Sequence, residues 1–551
     1  MTRRQWAAVA GVAALTLCVA SPGHAQVDPA KCLAPMVSSD ERIAACTIVI
    51  ETGRGPKIGL AWAYRLRARE YLKKQDFNHA AADYSQVIQL YPEDRYAYIA
   101  RADANSYLKD FDQAIADYDQ AIRLDPGDSH VYTRRALVYF RKNDFDRAFS
   151  DSARAIELNP NDEQAYVSRG TVFSQRGEFE HAIADYDHAI GINPKDAGAY
   201  VGRGAALERS GQIDRAMADY DHAIELNPQD EQAYANRGSA YSRRSEFERA
   251  IADYNHAIEL NPNDERAYVG RGTVLQRNGQ RDRAIADYDR AIELNPRDPY
   301  AHQDRGIAYF RKDDADRAID DFDLAIQADP NLKYSYVWRG NAYLVKGDPD
   351  RAVADYDKAI QIDRRDKQAY AGRSNAYKAK GDLVHAVADY DEVIRLDPKN
   401  AHSYRARGIL QLHAGSFDKS LADLHQSLEL DPRDAYTAMW REIVARRGSQ
   451  PSRLADTTAQ LDMTKWPAPV VRMFLGETTP EAVLAAAQDS DPQVQKSQRC
   501  EANFFAGELA LQRGSKEEAA RLFGLAATDC PKTFIEWSAA NVELKALGTN
   551  P

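Results

Sequence analysis

The chain has 551 residues, of which 44% are hydrophobic and 28% are charged, so a folded chain is expected and an intrinsically disordered one is excluded. This length exceeds one ordinary compact core of about 100–200 residues, which predicts several domains or a repeat array. The formal charge of −11 has the wrong sign for a dedicated nucleic-acid-binding protein.

Residues 1–25 have the pattern of a secretory signal peptide. Arg3 and Arg4 precede an apolar run over residues 6–20, and small residues precede a cleavage site expected after Ala25. The apolar run is too short to span a membrane, so we expect a periplasmic or secreted chain. A lipoprotein would use Cys18, but Leu17 stands where that motif has a small residue, and soluble export is favoured.

Residues 26–60 are predicted to form an N-terminal helical cap. Ser38 and Glu41 have the spacing of a capping box, and an apolar helix follows them. The segment has the pattern of a degenerate half-repeat. It would cover the first full repeat, because the end of a repeat array otherwise exposes an apolar face.

Four cysteines remain after cleavage, in two close pairs at opposite ends of the chain. Cys32 lies near Cys46, and Cys500 lies near Cys530. An even number of cysteines in an exported chain predicts two disulfides, with four buried free thiols as the alternative.

A repeat of 34 residues occupies residues 61–434 in eleven gapless copies. Residue 8 of each copy is small, residue 20 is Ala in ten copies, and residue 34 is Asp or Asn in ten copies. Small residues let two helices approach closely, and Asp or Asn caps the following helix. Prolines mark the spacing at positions 92, 126, 160, 194, 228, 262, 296, 330, 398 and 432, and Arg364 fills the one missing slot.

This pattern closely resembles the tetratricopeptide repeat, a helix–turn–helix unit of 34 residues. The resemblance implies an all-α fold, a right-handed α-solenoid with helical caps at both ends. It also implies a concave groove, lined by residues 2, 5, 6, 9, 12 and 13 of each first helix, that binds a protein or peptide partner.

Two charged columns run through all eleven copies. Residue 7 is always Arg and residue 23 is always Asp. The Arg column could hold an acidic ligand, but matched columns favour structural pairs across the helix hairpin or the repeat junction, because buried charges need partners. The predicted structural ladder includes Arg169, Asp185, Arg203, Asp219, Arg237 and Asp253.

We expect the partner site in the groove around repeats six to nine. Three arginines share residue 13 and would give the groove a positive edge, and Trp338 stands at residue 6. Trp and Arg often dominate binding energy, although Trp338 could instead fill space inside the superhelix. The predicted site consists of Asn236, Arg243, Arg277, Arg311, Trp338 and Asn341.

A column of histidines at residue 26, formed by His188, His222 and His256, is not expected to bind metal. Successive repeats are offset by at least about 8–10 Å, whereas Zn–N bonds are about 2.0–2.1 Å long. A solvated face is favoured, and no metal or cofactor is predicted.

The array is followed by an irregular helical connector over 435–499, and then by a twelfth repeat and a capping helix over 500–551. Elements of this C-terminal part resemble the family of the bacterial periplasmic lipoprotein NlpI, whose members bring cell-wall hydrolases to proteases and other envelope enzymes. The elements that carry this resemblance are Trp466-Pro467, Leu475-Gly476, Pro480, Cys500-Glu501, Phe504, Gly507 and Phe534-Ile535-Glu536.

The sequence contains no GxSxG, P-loop, HExxH or CxxC motif, so we expect a protein that is not an enzyme. The function expected is an exported scaffold or adaptor that binds peptides or proteins in the bacterial cell envelope, with cell-wall hydrolases or proteases as candidate clients. The alternative is an accessory periplasmic subunit of a polysaccharide or protein export assembly. An enzyme of unrecognised type is the third hypothesis.

Overall fold

The computed structural model describes residues 28–53, 56–531 and 534–549, so the predicted signal peptide and Cys18 lie outside the described residues. Within these ranges the chain is all-α, with thirty α-helices, two short 3-10 helices at Pro29–Cys32 and Thr458–Gln460, and no strand. No helix in this part is both long enough and apolar enough to cross a membrane. The prediction of an all-α fold of consecutive helix pairs is confirmed.

Helix α1 belongs to the N-terminal cap, α2–α23 form the eleven repeats as successive pairs, and α24–α30 form the C-terminal part. The helices are α1 Ser39–Thr52, α2 Lys57–Lys73, α3 Phe77–Leu90, α4 Arg95–Tyr107, α5 Phe111–Leu124, α6 Ser129–Arg141, α7 Phe145–Leu158, α8 Glu163–Arg176, α9 Phe179–Ile192, α10 Ala197–Arg209, α11 Ile213–Leu226, α12 Glu231–Arg243, α13 Phe247–Leu260, α14 Glu265–Arg277, α15 Arg281–Leu294, α16 Pro299–Phe310, α17 Ala315–Ala328, α18 Lys333–Val345, α19 Pro349–Ile362, α20 Lys367–Lys380, α21 Leu383–Leu396, α22 Ala401–His413, α23 Phe417–Leu430, α24 Ala435–Arg447, α25 Leu454–Thr457, α26 Ala468–Leu475, α27 Pro480–Ala486, α28 Pro492–Gln512, α29 Lys516–Asp529 and α30 Ile535–Ala546.

Helix caps recur with the repeat. Residue 34 caps the next first helix, as where Asp94 accepts a hydrogen bond from the backbone N–H of Ala97. Residue 15 ends the first helix in the left-handed conformation. Glycine suits this position, as at Gly177 with φ of 78°, but Lys109 adopts φ of 63° at the same position of the second repeat. The turn is therefore imposed by the packing of the hairpin and not by glycine alone.

The chain divides into two compact units, one ending at Val274 and the other beginning at Leu275. In the first unit, the core of a repeat consists of the alanine at residue 20 and the aromatic ring at residue 24, as with buried Ala182 and Tyr186 in the fourth repeat. Small alanines bring the paired helices together, and the tyrosine fills the space between successive pairs.

The second unit ends in a larger apolar core. Trp440 of α24 packs on Phe504 of α28 with ring centroids 5.3 Å apart, and Phe504 packs on Phe523 of α29 at 5.8 Å. Helix α28 begins at Pro492, ahead of the predicted twelfth repeat at residue 500, because Asp491 caps its first turn and proline suits that turn. The connector thus runs directly into the last helix hairpin.

Disulfides join both cysteine pairs. One joins Cys32 to Cys46 of α1, with Cα atoms 4.7 Å apart, and the other joins Cys500 of α28 to Cys530 after α29, with Cα atoms 4.8 Å apart. The capping box is present too, because the Ser38 side chain accepts from the backbone of Glu41, whose carboxylate accepts from the backbone of Ser38.

Candidate functional site

The arginine at residue 7 pairs with the aspartate at residue 23 of its own repeat. Arg203 donates from Nε and Nη2 to the two carboxylate oxygens of Asp219, at 2.8 and 2.6 Å. This bidentate geometry holds the two helices of a hairpin together and raises the pKa of Arg203. The same two hydrogen bonds are made by Arg67, Arg101, Arg135, Arg169, Arg237, Arg305, Arg339, Arg373 and Arg407.

A third hydrogen bond crosses to the preceding repeat. Nη1 of Arg203 donates to residue 25 of the fourth repeat, Asp187, at 2.6 Å, and Arg237 donates likewise to Asp221 at 2.7 Å. The sequence reasoning missed this contact, although Asp recurs at residue 25. Where residue 25 is Asp, the guanidinium therefore bridges two carboxylates in different repeats. The arginine column thus has a structural role, which argues against its use in binding a ligand.

The histidine column packs on the tyrosines at residue 4. His188 stacks on Tyr166 with ring centroids 5.2 Å apart, and His222 meets Tyr200 edge-on at 4.5 Å. His256 repeats the arrangement with Tyr234 at 4.2 Å. Each histidine thus lies against its own repeat, and the described ranges hold no group of three His, Cys, Asp or Glu residues placed to bind a metal.

We call positions 2, 5, 6, 9, 12 and 13 of the first helices the groove stripe. In the first unit, Asn236 on this stripe is half-buried. Arg243 extends to Glu208, whose buried carboxylate accepts at 2.9 Å, while the arginine side chain stays 56% exposed. Arg243 therefore places a positive charge on the groove stripe, and the carboxylate of Glu208 partly neutralises that charge.

The other predicted partner-binding residues lie in the second unit. Trp338 is half-buried and meets Phe310 edge-to-face at 5.5 Å, and Asn341 accepts a hydrogen bond of 2.7 Å from the Tyr356 hydroxyl. Arg277 and Arg311, at the ends of their helices, are exposed. Part of the Trp338 side chain is therefore accessible to a partner, and the rest packs against neighbours that include Phe310.

A cavity of about 390 Å³ opens on the groove stripe at repeats three and four, outside the predicted site. Its walls are residues of helices α6 and α8 at stripe positions and at residue 8. They include Ala136, Leu137, Phe140, Val167, Ser168 and Thr171. Its size falls in the range of about 300–1,000 Å³ that is typical of ligand pockets.

The stripe around this cavity is basic. Arg141 donates to the hydroxyl of Ser106 at 3.2 Å, and Arg209 donates to the backbone carbonyl of Ser174 at 3.2 Å. Both partners are neutral, so both guanidinium charges remain uncompensated by these contacts. Arg134 differs, because it pairs with the carboxylate of Asp103.

The C-terminal part contains a buried polar network that the sequence did not indicate. Glu501 accepts from the indole N–H of Trp466 at 2.6 Å and from the hydroxyl of Tyr436 at 2.9 Å. Burial raises the pKa of Glu501 and, to about 7, that of Glu536 on α30. These partners come from unrepeated segments far apart in the sequence, so no spacing pattern could have indicated them.

Comparisons with known proteins bear on the repeat region. Models described as tetratricopeptide repeat match residues 65–129, 99–163, 269–332 and 371–435, and also 231–264 and 334–366. A model described as TPR repeat matches residues 170–211 and 209–244. No curated protein sequence gives a significant match to the chain.

Solved structures similar to this chain include the following three. The APC/C hetero-tetramer Cut9–Hcn1 is 14% identical, with 74% of this chain and 93% of that chain covered and a TM-score of 0.41. Yeast Tom70 is 16% identical, with coverage of 77% and 100% and a TM-score of 0.37. A tetratricopeptide repeat protein from Parabacteroides merdae is 20% identical, with coverage of 45% and 98% and a TM-score of 0.37.

Proposed function

Because the chain belongs to the tetratricopeptide repeat family, we propose that it is a non-catalytic scaffold of the bacterial cell envelope whose groove stripe holds an acidic segment of a partner protein. Proteins built from this repeat act as protein-interaction scaffolds, so partner binding is the premise of the proposal. The observation that carries the acidic preference is the charge of the stripe.

In the first unit the groove stripe carries eight basic and two acidic residues, within a chain of net charge −11. The acidic members are Asp103 and Glu208, and the basic members are Arg65, Arg69, Lys73, Arg134, Arg141, Arg209, Arg243 and Arg266. Opposite charges across an interface steer association and select the partner, so an acidic segment suits this surface.

Two features support an envelope location. The N-terminal sequence has the pattern of a signal peptide, and two disulfides are characteristic of chains that fold in an oxidising compartment. The C-terminal resemblance to the NlpI family suggests cell-wall hydrolases or proteases as clients. Components of an export assembly are the competing class.

The test is affinity enrichment from an envelope extract with three forms of the full chain. The double variant Arg141→Glu/Arg209→Glu reverses the charge on the stripe. The control, Arg123→Glu/Arg154→Glu, makes the same charge change on second helices at exposed positions outside the stripe. We expect envelope hydrolases or proteases with the wild type and the control, and their loss with the stripe variant.

Two other outcomes would contradict the proposed class of client or the proposed binding surface. Recovery of export-pore components would favour the competing function. Equal recovery by the stripe variant, confirmed to be folded by its circular dichroism, would contradict binding through the stripe.

A further inference from the structure

Residue 24 of the second helix departs from its pattern in the third repeat. It is Tyr in eight of the eleven repeats, Phe322 and Leu424 in two others, and Ser152 in the third. The Ser152 hydroxyl donates to the backbone carbonyl of Ala148 at 2.8 Å. The serine thus turns back onto its own helix, and no ring projects from this position.

Elsewhere the tyrosine ring of this column fills a defined space. The ring of Tyr186 lies against Gly170, residue 8 of its own repeat, and so close to Gly202, residue 6 of the next repeat, that an added Cβ would be 2.6 Å away. Its hydroxyl meets the Thr171 hydroxyl, residue 9 of its own repeat, at 3.0 Å. Tyr254 lies in the same way against Gly238 and Gly270.

The corresponding positions around Ser152 line the cavity at repeats three and four. Residues 8 and 9 of the third repeat are Ala136 and Leu137, residue 6 of the fourth is Ser168, and all three are cavity walls. Three positions that contact the tyrosine ring in the fourth repeat therefore have their equivalents in the walls of this cavity. It opens on the groove stripe, because stripe residues form most of its lining.

The walls suit an aromatic ring. Leu137 is 45% exposed at the cavity and, with Phe140 and Val167, supplies an apolar lining. The Thr171 hydroxyl also lines the cavity, where it donates to the Val167 carbonyl at 2.8 Å and meets the Tyr186 hydroxyl at 3.0 Å. Arg141, at the end of α6, adds the positive charge described above.

We infer that this cavity is an anchor pocket that takes a tyrosine or phenylalanine side chain carried on an acidic segment of the partner protein. The inference rests on the proposed function, since it assumes that the stripe holds such a segment. An inserted ring would replace the missing one, packing between α6 and α8 as Tyr186 packs between its own neighbours.

The experiment fills the pocket with a side chain of the protein itself. Ser152→Tyr places a ring in the cavity, and Tyr118 provides a precedent for its fit. Tyr118 is 2% exposed although its two equivalent neighbours, Ala102 and Arg134, both carry a Cβ atom. Ser152→Ala is the matched control, because it changes the same residue and leaves the cavity open.

The probes are three short synthetic peptides of Glu and Ser that differ only in a central Tyr, Leu or Ala, with binding followed by fluorescence anisotropy. We expect wild type and Ser152→Ala to bind the Tyr peptide at least about tenfold more tightly than the Ala peptide. Ser152→Tyr should bind these two peptides within about twofold of each other, because its pocket is occupied.

A Leu peptide that binds as tightly as the Tyr peptide would overturn the aromatic preference. A Tyr preference that survives in Ser152→Tyr, or equal binding of Tyr and Ala peptides by the wild type, would overturn the pocket while leaving an acidic groove in place.

Binding of none of the peptides would count against the proposed function, and the pocket is then tested alone with 4-methylphenol, the side chain of tyrosine. Saturation-transfer NMR should detect 4-methylphenol on wild type and Ser152→Ala but not on Ser152→Tyr. No signal with the wild type, or an equal signal with Ser152→Tyr, would overturn the inference.

Discussion

Arg203 in the fifth repeat donates a hydrogen bond of 2.6 Å to Asp187 in the fourth, while its other two donors hold Asp219 in its own repeat. One guanidinium thus fixes the geometry inside a hairpin and the spacing between hairpins. At the junction of repeats three and four the second carboxylate is missing, since residue 25 there is Ala153. Both Ala153 and Ser152 lie on α7, the helix between α6 and α8 in the chain, and residues of α6 and α8 line the cavity.

The two carboxylates held by Arg203 should differ in importance. Asp219→Ala leaves a guanidinium that is only 20% exposed without its bidentate partner, and should lower the free energy of unfolding by about 3–5 kcal/mol. Asp187→Ala removes a carboxylate that is 50% exposed, and should cost about 0.2–1 kcal/mol. Urea unfolding followed by circular dichroism measures both. Equal costs for the two variants would contradict the assignment of Asp219 as the main partner.

Close approach of helices to tyrosine rings predicts an unusual pair of glycine substitutions. Gly202→Ala improves helix propensity but places a Cβ 2.6 Å from the buried ring of Tyr186, and overpacking should cost about 1–3 kcal/mol. Gly191→Ala, near the end of α9, meets nothing within 4 Å and should stabilise by about 0.5–1 kcal/mol. Thermal unfolding shows whether each variant is less or more stable than the wild type. Stabilisation by Gly202→Ala would show that the ring has room to move.

The repeat architecture could be predicted because its signals recur with a fixed period. The bidentate pairs followed from matched columns, since the arginine at residue 7 and the aspartate at residue 23 of one repeat face each other within a hairpin. The junction contact to residue 25 did not follow, because the stacking of neighbouring hairpins decides which residue of one repeat meets residue 7 of the next. The recurrence of Asp at residue 25, as at Asp187, was therefore evident from the sequence, but the residue to which it binds was not.

The cavity was harder to predict for a related physical reason. Ser152 stands out in its column, yet only the packing of other repeats, such as Tyr186 against Gly202, shows that a ring at residue 24 points toward residue 6 of the next repeat. The network around Glu501 could not be predicted at all, since Tyr436 and Trp466 reach it from segments outside the repeat. Periodicity carries no information about such contacts.

Trp338 remains the predicted anchor in the second unit. Its indole is half-buried beside Phe310, so Trp338→Ala removes a partly exposed aromatic surface and should leave the repeat folded. We expect this variant to weaken binding of the captured client by about 2 kcal/mol or more, measured by calorimetry. Ile319→Val, a small change at a partly buried residue of the same unit, is the control for an effect on binding that comes only from weaker packing of the repeats. Unchanged affinity in a folded Trp338→Ala chain would rule out an anchor at this place.

The buried carboxyl of Glu536 predicts how stability changes with pH. Burial, reinforced by the nearby charge of Glu501 and opposed by Arg405 and Lys378, raises its pKa from 4.5 to about 7. The folded chain therefore binds the proton more tightly than the unfolded chain, and the stabilisation present below pH 4.5 is lost as the pH rises through 7. Glu536→Gln stays neutral throughout and should avoid this loss.

Relative to wild type, Glu536→Gln should thus gain on the order of 2–3 kcal/mol in the free energy of unfolding between pH 5 and pH 8. Urea unfolding at intervals across this range measures the gain. Glu517→Gln, on an exposed position of α29, serves as the control for loss of a carboxylate. A Glu536→Gln effect that does not change with pH would mean that the carboxyl is already ionised at pH 5, held there by Lys378 and Arg405, and that burial is not the dominant influence on it.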